Sequence, residues 1–165
     1  MISLTVTNTS DFMNKLLVKE TFDMLLLSEA DIQTGSFYKI DGRINTSFYT
    51  AEELEALPDS QYSNWKMQRP HVFNLIKGKK VPSGLKIIFA LSKKAITKLI
   101  EKNDIDLDID SVDGLFINVN YKDDVVTIIT GTSLKTFTLD KSLEKAFDAY
   151  IKNTFEMAEI TYTEN

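Results

Sequence analysis

The stretch "NWKMQRPHVFNLIKGKK", residues 64–80, sets Trp65, Lys66, Arg69 and His71 close together and follows them with Lys77, Lys79 and Lys80, with no acid among them. Cations beside a flat ring suit an anion that carries a planar group, because lysine and arginine meet the charge while the ring stacks on a base. The same residues also suit an ordinary surface on which an arginine covers the edge of a tryptophan. A third reading makes Trp65, Arg69 and His71 the lining of a pocket in a small enzyme or ligand-binding protein.

Charge gives this stretch its interest. Residues 60–100 contain no acid and nine lysines or arginines, so they carry +9 in a chain of net charge −5, and the remainder carries −14. Such a split points to an anionic partner, nucleic acid or an acidic protein, unless the fold lays the basic run against acidic segments of the same chain.

Other chemistries lack their residues. There is no cysteine, which removes disulfides, thiolate metal sites and cysteine nucleophiles and fits a reducing cytoplasm. "IKGKKVP" has Gly78 and Lys79 but no glycine at the upstream spacing of a P-loop, and Lys80 stands where the hydroxyl belongs. His71 is the only histidine and no serine sits in a GxSxG elbow, so no catalytic set, no metal site and no cofactor motif can be named. The acidic run "NDIDLDIDSVDG" has Ile109 and Leu115 where a calcium loop starting at Asp104 needs glycine and glutamate. Its alternation of Ile105, Leu107 and Ile109 with aspartates reads as an edge segment with the apolar side inward. No apolar run approaches the roughly 20 residues that span a bilayer, and the start, "MISLTVTNTSDF", has no basic region followed by an apolar core, so neither a membrane partner nor a signal peptide is expected.

The elements that must hold these residues are marked by local signals. "ISLTVT" alternates as a strand, and "TSDFMNKLLVK" is a short helix capped by Thr9 or Ser10. "MLLLSEADIQT" and "SFYKIDGRIN" are strands turned at Gly35-Ser36, with a further turn or bulge at Asp41-Gly42. Thr50 and Glu53 form a capping box for a helix that stops before Pro58. Pro70 suits the first position of a helix over 70–77, and Gly78 its end. "GLKIIFAL" is a strand, and Ser92 caps "KKAITKLIEKN", whose Lys93, Lys94, Lys98 and Lys102 fall outside the apolar face. "GLFINVNY", "DVVTIITG" and "KTFTL" are three more strands, and Leu143, Phe147, Tyr150, Ile151 and Phe155 recur at helical spacing in a last helix over about 141–154.

The expected fold is a single α+β domain over residues 1–165. Its sheet is mostly antiparallel and built from two strand-helix-strand-strand halves, with a helical insert at about 46–81 and a C-terminal helix. A chain of this length buries about two-thirds of its unfolded surface and so supports its own core.

Five stretches carry a resemblance: "LLVKETFDMLLLSEA", "FYKIDGRIN", "YSNWKMQRPHVFNLIKGKKVP", "GLFINVNY" and "TGTSLKTFTLDKSLEKAFD". Through them the chain resembles a domain-of-unknown-function family of anaerobic Firmicutes. That resemblance implies a bacterial, cytoplasmic, stand-alone domain, and it implies no activity and no catalytic residues. The functional expectation therefore rests on the residues. It is a non-enzymatic binding module with Trp65, Lys66, Arg69, His71, Lys77, Lys79 and Lys80 facing an anionic partner, the alternative being the pocket at Trp65, Arg69 and His71.

Overall fold

The computed structural model describes residues 1–165. Its strands are β1 (Ser3–Val6), β2 (Leu26–Gln33), β3 (Phe37–Asp41), β4 (Ser63–Asn64), β5 (Gly84–Ala90), β6 (Val112–Lys122), β7 (Val125–Leu134) and β8 (Tyr162–Glu164). Its helices are α1 (Thr9–Leu17), α2 (Ala51–Ala56), α3 (Trp65–Ile76), α4 (Lys93–Lys102) and α5 (Ser142–Met157). The strands form one antiparallel sheet in the order β3-β2-β5-β6-β7-β1-β8, with β4 paired to β2. The α+β class, the antiparallel sheet and the C-terminal helix are as the sequence implies.

Both halves run strand, helix, strand, strand, yet they are wired differently. β5 and β6 are neighbours, so α4 joins adjacent antiparallel strands. β1 and β2 are separated by β5, β6 and β7, so α1 carries the chain across the width of the sheet.

Period-two alternation gives the sheet one apolar face. Leu85, Ile87 and Phe89 of β5, Leu115, Ile117 and Val119 of β6, and Val126 and Ile128 of β7 are buried. They join Phe12 and Leu16 of α1, Trp65 and Val72 of α3, Ile96 and Leu99 of α4, and Phe147 and Ile151 of α5 in a single core cluster. The opposite face has no helix layer. Its row fixed by the register Lys86↔Asn120 and Asn120↔Thr127 is polar and partly exposed, while the next row sets the partly buried Ile88 and Ile129 on either side of Asn118.

Local chemistry explains several boundaries. Thr50 and Glu53 make the expected capping box on α2, and Ser92 accepts from the Ala95 amide at the start of α4. The β6–β7 hairpin turns on Asp123 and Asp124, with φ of 51° and 62°, the left-handed pair that matches strand twist. Gly42 cannot be replaced without moving backbone, because a Cβ there would lie 1.8 Å from the Leu27 carbonyl oxygen. Beside it, Arg43 holds Asp41 through its guanidinium and its amide and lowers that carboxyl to about 2. The unfolded carboxyl titrates near 4, so this contact contributes stability above about pH 4 and loses it as the pH falls toward 2. A carboxyl NMR titration should place the Asp41 midpoint near 2, and Arg43→Ala should move it up toward the ordinary value.

Four expectations need correction. α3 begins at Trp65, not at Pro70, because the Asn64 side chain accepts from the Met67 amide and caps the helix earlier. Pro70 is thus inside α3, where its missing N–H leaves the Lys66 carbonyl without an intrahelical donor. α1 is capped by Asn8, not Thr9 or Ser10. "KTFTL" pairs with no strand, and Phe137 and Leu139 stand exposed. Residues 104–111 of the acidic run are not a strand; they hold a short 3-10 turn, Ile109–Ser111, before β6 begins at Val112, while Ile105, Leu107 and Ile109 do pack against the core.

Candidate functional site

The structure divides the expected site. Trp65 is completely buried at the junction of α1, α3 and the sheet. Its indole N–H donates to the Leu16 carbonyl at 3.2 Å, and its ring meets Phe89 edge-on at 5.0 Å. It is a core residue and offers no face to a partner. Arg69 is also turned inward. Its Nε and Nη2 donate to the two oxygens of Asp23 at 2.9 and 3.0 Å, and Nη1 donates to the Val18 carbonyl just past α1. Hydrogen bonding to Asp23 raises the pKa of the guanidinium above its ordinary value, against the opposing effect of burial. The charge of Arg69 is therefore met within the chain.

Lys66, His71, Lys77, Lys79 and Lys80 are exposed. Lys66 and Lys77 are about three helical turns apart and so emerge along the same side of α3. None of the five principal clefts is lined by Trp65, Arg69 or His71.

The rest of the acid-free run is spread over two faces. Lys86 stands on the open face of the sheet, opposite Asp31 and Asn120. Lys93, Lys94 and Lys98 lie on α4, across the sheet. The nine basic residues thus do not share one surface. A different grouping replaces them. Lys94, Lys98 and Lys102, each four residues from the next, form one wall of a groove of about 630 Å3 between α4 and α5. The opposite wall is Ala146, Ala149, Tyr150 and Asn153, and the floor is Leu25, Leu91, Ala95 and Leu99, with Met24 at the lip. No acid lines the groove. No carboxylate lies within ion-pair distance of these three lysines, whereas Lys93, at the head of the helix, pairs with Asp110 at 3.2 Å.

The sequence put these lysines off the buried face of their helix, but it could not say that α5 would lie alongside and turn a solvated face into a wall. The only sequence signal was the repeat of lysine at four-residue intervals, which a solvent-facing helix also shows.

A second cleft, of about 360 Å3, opens where the Asp59–Tyr62 segment meets the start of β6. Its acidic groups have partners within the chain: Asp59 accepts from the Gln61 and Tyr62 amides. Asp110 pairs with Lys93, both well exposed, and Asp113 accepts from Ser133 at 3.3 Å. No three acidic or histidine side chains converge anywhere as a metal site would require.

With fold and groove defined, comparison with known proteins gives a family match. Residues 15–163 match the model of a family of unknown function, DUF5721, and the chain belongs to that family. Neither a curated protein nor a solved structure matches. No helix is long and apolar enough to cross a membrane.

Proposed function

We propose that the chain is a non-enzymatic binding module that takes an anionic partner, nucleic acid or an acidic protein, on a basic surface. We locate that surface at the α4 lysine row. The observation that carries the reading is the set of three exposed lysines on one wall of a groove without a single acid in its lining. Unpaired like charges at helical spacing repel one another, and a partner anion removes that cost. The exposed cations Lys66, Lys77, Lys79 and Lys80 are a second candidate surface. The enzymatic alternative at Trp65, Arg69 and His71 is disfavoured by the burial of the first and the internal pairing of the second. The setting that goes with this reading is the cytoplasm of an anaerobic Firmicute, on the strength of the resemblance in the five stretches above.

The test measures binding of single- and double-stranded DNA, RNA and polyglutamate at low and moderate salt. It compares wild type with Lys94→Glu/Lys98→Glu/Lys102→Glu and with Lys66→Glu/Lys77→Glu/Lys79→Glu/Lys80→Glu. At least one polyanion should bind at low salt and weaken steeply as salt is added. The first variant should lose that binding and the second should keep it. A wild type that binds no polyanion at low salt overturns the function, and loss confined to the second variant overturns the location.

A further inference from the structure

We infer that the natural occupant of the α4–α5 groove is an acidic amphipathic helix of a partner protein. This inference rests on the proposal above and narrows it.

The groove has two chemistries in register. Its rim is cationic and its floor is aliphatic, with Leu25, Leu91, Ala95 and Leu99 beneath and Ala149 on the side. Nucleic acid meets such a site poorly. Bases need aromatic platforms, the tryptophan is buried, and the groove has one half-buried tyrosine, Tyr150. An aliphatic floor instead accepts leucine, isoleucine or phenylalanine side chains, and the exposed Met24 at the lip supplies the adaptable surface such sites use. The lysine row spans roughly 12 Å, a little over two turns of helix. A partner helix with acids at i, i+4 and i+8 repeats that spacing and presents its apolar stripe beside them, so both halves of the groove are satisfied at once.

The chain contains a short counterpart of such a helix. α2, with Glu52, Glu53, Glu55 and Leu54, is acidic and has no buried residue. Leu54 and Glu55 line a cleft on Lys94 and Lys98 that opens away from α5. The fold thus already sets an acidic, leucine-bearing helix beside two of the three lysines, while the groove on their other side lies open.

The experiment uses two synthetic peptides of identical composition. One carries glutamate at i, i+4 and i+8 with an adjoining leucine stripe; the other is a scramble without the stripe. Polyglutamate and duplex DNA serve as charge-only probes. At moderate salt the amphipathic peptide should bind about tenfold more tightly than its scramble, the difference made by one or two buried leucines after ordering costs. Amide shifts should map to α4 and α5. Lys94→Glu/Lys98→Glu/Lys102→Glu should abolish binding. Ala149→Trp, at an exposed position where added bulk fills the groove without entering the core, should abolish binding of the peptide and leave polyglutamate bound. Equal binding of peptide and scramble, or an Ala149→Trp variant that binds the peptide as wild type does, overturns the inference. Polyanion binding without any peptide binding also overturns it and leaves the broader proposal standing, whereas no binding of any probe removes both.

Discussion

Replacing Trp65 by alanine is expected to lower stability by about 3–5 kcal/mol, the range for removing a large buried aromatic side chain. The side chain is fully buried against Phe89 and belongs to the one core cluster, so its loss leaves a cavity among elements that cannot close it without shifting the sheet. A second effect adds to the first. Leu16 lies in the last turn of α1, where carbonyls have no intrahelical donor, and the Trp65 indole supplies one. Phenylalanine at 65 should therefore recover much of the packing but not the hydrogen bond, and should still cost about 1–3 kcal/mol for a buried carbonyl left without a donor. Because this is the only tryptophan, urea unfolding of these variants is followed by circular dichroism, not by intrinsic fluorescence. An unchanged midpoint for Trp65→Ala would contradict the buried position. Where the variant remains folded, its affinity for polyanions should equal that of wild type, since the ring reaches no surface.

What the sequence could say about this protein follows the range of each signal. The capping box of α2, the Ser92 cap, the alternation of β5, β6 and β7 and the apolar spacing of α5 are local, and the structure reproduces them. At α3 two local signals competed. Proline prefers the first helical turn, but the Asn64 cap and the burial of Trp65 and Val72 together start the helix a full turn earlier. "KTFTL" has strand-like alternation, yet a strand needs a free edge beside it; there Phe137 is 90 % and Leu139 84 % exposed. The tail shows the reverse case. Tyr162–Glu164 is unremarkable by composition but meets the free edge of β1 and pairs with it. The candidate site was the least accessible part. An acid-free run is a property of sequence, while a basic surface is a property of faces. The alternation of β5 sends Lys86 to the open side of the sheet, α4 carries Lys94 and Lys98 to the other, and Arg69 finds a partner 46 residues away at Asp23.

Arg69→Ala should cost about 2–4 kcal/mol in stability and nothing in affinity for an anionic partner. Removing one member of a buried ion pair is expensive because the other is left charged in a poorly hydrated place, about 3–5 kcal/mol when burial is complete. Here the side chains of Arg69 and Asp23 retain 15 % and 12 % exposure, which lets water reach the orphaned carboxylate and lowers the cost. The Val18 carbonyl loses its donor in the same step. Arg69→Lys keeps the charge but cannot make two parallel bonds to Asp23, so its stability should fall between the alanine variant and wild type. Asp23→Ala/Arg69→Ala should be less destabilised than the sum of the single variants, because no lone charge remains, and the difference measures the pair. A double variant at the full sum would mean that the two side chains do not act together. Loss of polyanion binding by a folded Arg69→Ala protein would return this arginine to the external surface that its neighbours in the sequence suggest. The bidentate contact predicts the opposite: within the basic stretch 64–80, Arg69 ties α3 to the segment after α1 and leaves the capture of anions to lysines elsewhere in the fold.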